Sequence, residues 1–216
     1  MAKVKRVAAT NQKLLEVDGA AWSGFDRVGI DLIPAPVTMA ASVSGQMALS
    51  QNHGKVRRVE ARLAHNGQSL SVRLSWQDAQ RDDQIGDLDR FVDGAAVMFP
   101  LQGDANPFTM GDAQHPVNAW LWRADQPEPF DVIARGYSTS QRRPASSSQL
   151  EANALYRDGG WHLVFQRPLQ PGNGEFTRFA PGEPARIAFA IWEGSNAERA
   201  GQKAISGAFV DLELEA

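Results

Sequence analysis

The sequence predicts an all-β protein, an antiparallel β-sandwich with long loops and few short helices. Three observations carry this. Short apolar runs recur and alternate with polar residues. Leu70, Val72, Leu74 and Trp76 interleave with Ser71, Arg73 and Ser75, and Trp161, Leu163 and Phe165 with His162, Val164 and Gln166. That period of two marks strands with one face buried and one wet. Turn signals separate the runs, with Asn66-Gly67 and Asp158-Gly159-Gly160 each lying between two of them, a strong hairpin signature. No long amphipathic helical pattern is present, and many of the 19 Gly and 12 Pro fall between the runs, as a chain of many turns requires.

In order, Val4 to Ala9 reads as an opening strand, followed by polar residues around Asn11-Gln12-Lys13. Residues 20–37 read as loop, with Pro34 and Pro36 breaking any ladder, and Val43 to Leu49 as a strand. Lys55 to Ala64 and Leu70 to Trp76 form the first hairpin. The charged stretch Gln77 to Arg90 is a surface loop or a short irregular helix. Ala95 to Phe99 is a buried strand ended by Pro100, and Val117 to Trp122 and Asp131 to Tyr137 are further strands. Ser138 to Ser148, rich in Ser, reads as a loop. Leu150 to Arg157 and Trp161 to Arg167 form the second hairpin, and Arg186 to Trp192 and Ala208 to Leu214 are the last strands.

The 216 residues suit one large domain, 1–216, with no internal repeat and no boundary. A net charge of −3 without a basic stripe argues against nucleic acid. The absence of Cys excludes disulfides, Cys-ligated zinc, iron–sulfur clusters and a haem bound covalently through C-x-x-C-H. No apolar run approaches the roughly 18 residues of a membrane-spanning helix. Met1 to Thr10 carries basic residues but no apolar core, so no secretory leader is read in the chain as given.

Two polar, Gly-bearing loops follow or precede apolar strands: Asn106-Pro107-Phe108-Thr109-Met110-Gly111-Asp112 and Trp192 to Lys203. Met110 either fills a gap in the core or offers its thioether, a soft ligand suited to haem iron or copper. Lys203 taken alone is equally a solvated charge. Of the four His, His65 in a hairpin turn and His162 on a wet strand face are expected at the surface, and His53 has no assigned role. His115, five residues past Met110, is a candidate to lie near a ligand held there. The acidic loop Asp82 to Asp89 invites a calcium reading, but its Gly and closing Glu do not fit an EF-hand. A solvated loop, or one that steers a cationic partner, is the favoured reading. Six Trp on a β scaffold also raise a non-catalytic carbohydrate-binding module, although Trp76 and Trp161 fall on apolar strand faces.

Five groups of residues carry a resemblance. Phe91-Val92-Asp93-Gly94-Ala95-Ala96-Val97-Met98-Phe99-Pro100 is followed by Pro107 to Asp112 and then by Pro116-Val117-Asn118-Ala119-Trp120-Leu121-Trp122. Ile191-Trp192-Glu193-Gly194 then leads to Glu198-Arg199-Ala200-Gly201-Gln202-Lys203-Ala204-Ile205-Ser206. In this order and spacing they resemble the haem b (gamma) subunit of the type II dimethyl sulfoxide reductase family. That group includes dimethyl sulfide dehydrogenase, ethylbenzene dehydrogenase, chlorate reductase and selenate reductase. The resemblance runs from about Val59 to the C-terminus and does not choose among members. It implies a β-sandwich electron-transfer subunit, not itself an enzyme, holding one non-covalent haem b between two loops. Met110 and Lys203 are then the axial iron ligands. It further implies a periplasmic complex with a molybdenum-containing alpha subunit and an iron–sulfur beta subunit, and a soluble cytochrome c as electron partner. Phe108, Trp120, Trp122 and Trp192 flank the two loops and are expected either against the porphyrin or in the core.

Overall fold

The computed structural model describes residues 1–41, 44–87 and 90–216. Thirteen strands build the fold: β1 (Ala2–Arg6), β2 (Val28–Pro34), β3 (Arg58–His65), β4 (Ser69–Gln77), β5 (Gly94–Pro100), β6 (Val117–Arg123), β7 (Phe130–Ala134), β8 (Gln141–Pro144), β9 (Glu151–Arg157), β10 (Gly160–Pro168), β11 (Ala185–Trp192), β12 (Ala204–Ser206) and β13 (Val210–Leu214). The hydrogen-bonded order is β8-β7-β6-β5-β11-β12-β2-β3-β4-β10-β9. β2 pairs with β3 through Val28–Asp31 and with β12 through Leu32–Pro34, and residues of β5, β6 and β11 share one core with residues of β3, β4 and β10. Every neighbour on that path is antiparallel; β1 alone pairs in parallel, with β13 and β3. The mainly antiparallel sandwich expected from the alternation is therefore what forms.

The inward-facing residues explain the closure. Leu70, Val72, Leu74 and Trp76 from one sheet meet Val97, Phe99, Trp120, Trp122, Ile187 and Ile191 from the other. Trp122 packs edge-on against Trp161, with centroids 4.8 Å apart, and Trp120 lies at 4.8 Å from Phe99. Burial at this scale stabilises by roughly 1.5–3 kcal/mol for each large apolar side chain. Both hairpins lie where the turn signals put them. Asp158 and Gly159 both take positive φ, the conformation of a two-residue primed turn.

Several expectations are corrected. Residues 28–34 in the region read as loop form β2, whose Pro34 sits at its end, where the missing N–H costs no ladder bond. Within Val43 to Leu49, Gly45–Ala48 is a short α2 helix, and Val43 lies outside the described residues. The Ser-rich segment 138–148 holds β8 and a helical turn at Ala145–Ser147. A second helix, α1 (Asn11–Leu15), is capped by the Thr10 hydroxyl accepting from the Lys13 N–H.

The helix α1 and the turn after it cover the face of β4 and β10 that the alternation marks as wet. Leu14, Val17 and Trp22 form a second apolar cluster with Ala64 and Val164. Ser71, Arg73 and Gln166 are consequently buried, each with a partner: Arg73 Nε donates to the Val17 carbonyl, and Gln166 Nε2 to Ser71 and to the Asn11 carbonyl. His65 is also buried rather than at the surface, its Nε2 2.8 Å from the Glu215 carbonyl oxygen. His162 is half-buried near Arg73.

Candidate functional site

On the sheet that holds β5, β6 and β11, one stretch of the outer face is built mainly of alanines. Ala96, Met98, Ala119, Ala188 and Ala190 line a shallow wall, with Ile205 and Ser206 of β12 beside them. The registers Ala190↔Ala96, Met98↔Ala119 and Ala190↔Ile205 set them side by side. Alternation sends their neighbours Val97, Phe99, Trp120 and Ile191 into the core, so the same strands present bulk inward and a low apolar surface outward.

Two loops roof this wall. In the first, Met110 adopts φ 60° and Gly111 φ 77°. Positive φ at a non-glycine residue costs of order 1–3 kcal/mol and tends to mark a functional turn. The turn is held by Gly111 N–H donating to the Asn106 carbonyl at 2.9 Å, by Gly136 N–H to the Met110 carbonyl at 3.1 Å and by the Tyr137 hydroxyl to the Phe108 carbonyl at 2.8 Å. Gly111 is obligatory, because a Cβ there would lie 2.4 Å from the His115 carbonyl oxygen. The second loop carries two more residues of positive φ, Ala197 and Ala200. It is pinned by Trp192 Nε1 donating to the Ala200 carbonyl and by Gln202 Nε2 to Ser50. The Lys203 carbonyl accepts from the Ala35 N–H, so its backbone is fixed at the edge of β12.

The two loops bring Met110 Sδ and Lys203 Nζ to 3.9 Å from each other. With Pro107 and Trp192 they close a narrow cleft of about 40 Å³. Lys203 Nζ stands 4.9 Å from the Trp192 ring centroid. Among the described residues no carboxylate lies within 4.0 Å of it. Burial pushes its amine down to about 8, since the charged form loses water and gains no anion. A thioether and a readily neutralised amine, facing each other over an apolar slot, form a donor pair for a soft or borderline metal centre. Met110 also touches a small cluster of Ala105, Val117, Ala134, Met98 and Phe209. Packing therefore holds the side chain, while its sulfur faces the lysine.

The other sequence candidates fall elsewhere. His115 is half exposed, its Nδ1 3.1 Å from Asp112, and is not among the residues lining the cleft. Trp120 and Trp122 are core residues on the opposite face of β6; only Trp192 of the four flanking aromatics lines the cleft. Phe108 is half-buried in the Met110 loop. In the acidic loop, Asp83 pairs with Arg81 at 2.6 Å, Asp82 N–H donates to Asp93, and Asp89 lies outside the described residues. The alanine wall was not singled out from the sequence. Its one trace is short residues at alternate positions of three apolar strands, which do not say on their own which face they occupy.

Fold and site together define a class: β-sandwiches with a ligand slot on one outer face, roofed by two loops. The chain belongs to the ethylbenzene dehydrogenase family, whose model matches residues 19–147 and 144–204. It is 38% identical over 176 residues to a Haloferax mediterranei protein named as a respiratory nitrate reductase heme subunit, a match covering 81% of this chain and 62% of that one. It is 33% identical to the chlorate reductase subunit gamma of Ideonella dechloratans, over 79% of this chain and 70% of that one. It is 34% identical to the dimethylsulfide dehydrogenase subunit gamma of Rhodovulum sulfidophilum, over 67% of this chain and 56% of that one. The match thus spans about three fifths of the first relative's length. These relatives bear out the resemblance to gamma subunits of the type II dimethyl sulfoxide reductase family.

Solved structures share the fold. A family 9 carbohydrate binding module from Caldicellulosiruptor kristjanssonii, in complex with glucose, superposes with a TM-score of 0.54 at 9% identity, over 99% of this chain and 95% of that one. A carbohydrate-binding protein from Bacteroides uniformis gives 0.58 at 12% identity, over 99% and 98%. At such identities the likeness concerns architecture alone.

Proposed function

We propose that this chain is a non-catalytic electron-transfer subunit that holds one haem b between Met110 and Lys203. One observation carries the reading: the thioether and the amine converge to 3.9 Å from loops far apart in sequence, over a wall of alanines. When bound, haem supplies a one-electron centre. The chain's part is to hold it without covalent links, which the absence of Cys requires. Lys203 binds iron only as the neutral amine, and burial without an anion already favours that form. A Met ligand tends to raise a haem's potential relative to two nitrogen ligands, which suits a relay to a high-potential partner. The alanines and Ile205 keep water from the slot, and Trp192 closes one end.

The names of the relatives support the assignment of the whole chain, 1–216, to the gamma role in a molybdoenzyme complex with molybdenum and iron–sulfur subunits. Periplasmic residence and exchange with a soluble cytochrome c belong to the same proposal. No helix among the described residues is long and apolar enough to cross a membrane. The rival reading, a sugar-binding module, needs exposed aromatic platforms. Every Trp, Phe and Tyr here is buried or half-buried, and five of the six Trp are core.

The test is spectroscopic. The purified full chain is incubated with haemin, and oxidised and reduced spectra are taken for wild type, Met110→Ala and Lys203→Ala. The expected result is one haem per chain, a b-type pyridine haemochrome, a sharp reduced α-band in wild type and a changed spectrum in both variants. Failure to take up haemin would overturn the haem reading and favour the sugar-binding one. Charge reversal of Asp83 and Asp87 tests the cytochrome step separately: the transfer rate and its salt dependence should both change.

A further inference from the structure

Three strand ends meet on one side of the sandwich. Asp78 follows β4, Asp93 precedes β5 and Glu193 follows β11. One carboxylate oxygen from each lies within 4.8 Å of the other two, and all three residues are buried. Among the described residues no Lys, Arg or His lies within ion-pair distance of any of them. The nearby guanidinium of Arg81 is paired with Asp83 at 2.6 Å.

The donors present do not satisfy this charge. Asp93 is the best served, accepting from Gly194 N–H, Asp82 N–H and Trp161 Nε1 at 2.8–2.9 Å. Glu193 Oε1 accepts from the Ser195 hydroxyl at 2.6 Å. Asp78 Oδ1 accepts from Gln80 N–H at 3.1 Å, while its Oδ2 is buried and receives no donor. Asp78 is only 2% exposed, so water does not reach that oxygen readily. On the adjoining turn, Asp82 Oδ2 is a second buried oxygen without a donor. A buried carboxylate left in this state is costly unless a proton or a cation joins it. Among the described residues the three groups that cluster here are all carboxylates, which offer hard oxygens.

We propose that Asp78, Asp93 and Glu193 form a structural site for one hard divalent cation, calcium rather than magnesium, that ties together the ends of β4, β5 and β11. Three carboxylates fixed on three separate strand ends make an all-protein cage, which suits calcium's larger and more tolerant coordination shell. Magnesium prefers to keep most of its waters. The site is distinct from the acidic loop the sequence suggests, although Asp82 of that loop touches it, its N–H donating to Asp93. Because Glu193 opens the loop that ends at Lys203, the same cation would brace that loop's root.

The experiment uses the full chain, stripped with EDTA and desalted. Melting is followed by circular dichroism near neutral pH with no added metal, with calcium chloride or with magnesium chloride, and calcium binding by calorimetry. Calcium at about 100 times its dissociation constant should raise the melting temperature by about 5 °C or more, with one ion bound per chain. Magnesium should do less. Asp78→Asn should abolish the calcium shift, yet melt at or above the calcium-free wild type, because it removes one of three facing carboxylates. Asp83→Asn, an acid on the same loop that does not face the site, should keep the shift. The proposal is overturned if wild type shows neither shift nor binding heat, if Asp78→Asn keeps the full shift, or if Asp83→Asn loses it. None of these readouts depends on haem.

Discussion

The two outer faces of this sandwich are built from strands of the same kind and end in opposite states. On β4 and β10 the outer face is covered by the chain itself, with Leu14, Val17 and Trp22 laid over Val164 and the buried polar side chains of Ser71, Arg73 and Gln166. On β5, β6 and β11 the outer face carries alanines and is roofed only by two loops whose tips hold Met110 and Lys203. One face uses its cover for stability. The other leaves a slot and stores backbone strain at Met110, Ala197 and Ala200 around it. The contrast shows that a sandwich face becomes a site by being kept low and only partly covered.

The contrast breaks most visibly on the covered face. Trp22→Ala removes a side chain 2% exposed whose Nε1 donates to the Leu14 carbonyl. It should cost about 3–5 kcal/mol in urea unfolding, while the protein that remains folded keeps the wild-type affinity for haemin. Filling the slot should do the reverse. Ala190→Phe adds bulk on the alanine wall of the cleft, on the face of β11 away from the core, and should weaken haemin binding on the order of 100-fold with little change in melting temperature. An equal loss in both measurements would remove the distinction between the faces.

A smaller effect sharpens the comparison at the roof. Gly111→Ala must carry a Cβ against the His115 carbonyl at φ 77°. The strain should cost about 1–3 kcal/mol and shift Met110, so the absorption spectrum of the haemin-loaded chain should move more than its unfolding midpoint. The smallest effect lies at the end of β3, at His65, opposite the core residue Leu70. Burial holds its imidazole below the usual range, the largest cause, against the opposing hydrogen bond to the Glu215 carbonyl. The unfolded chain takes up a proton as the pH drops through about 6.5, and the folded chain resists it. Stability present above that pH is therefore lost as acid is added. His65→Gln should flatten the fall in melting temperature between about pH 7.5 and 5.5, and an unchanged slope would assign the acid sensitivity elsewhere.

Much of the frame was legible because local chemistry fixes it. Asn66-Gly67 and Asp158-Gly159 set both hairpins, and the alternation from Leu70 to Trp76 gives the inward face whatever lies outside. The outward face was not legible, since alternation says that Ser71, Arg73 and Gln166 point away from the core but not that α1 covers them. Trp120 and Trp122 illustrate the same limit. Their parity on β6 puts them together, and only the register with β5 decides that they face Phe99 and Trp161 rather than the slot. β2 was hidden by Pro34, whose place at a strand end cannot be told from a loop by composition. Met110 and Lys203 stood out through the motifs around them, whereas Asp78, Asp93 and Glu193 converge only once three strand ends are set side by side.

The most direct test of the central claim is the near-infrared magnetic circular dichroism of the oxidised, haemin-loaded full chain. A sulfur-to-iron charge-transfer band lost in Met110→Ala, together with an amine signature altered in Lys203→Ala, is what paired ligation by these two residues predicts. A spectrum of histidine ligation, unchanged in both variants and lost in His115→Ala, would contradict it.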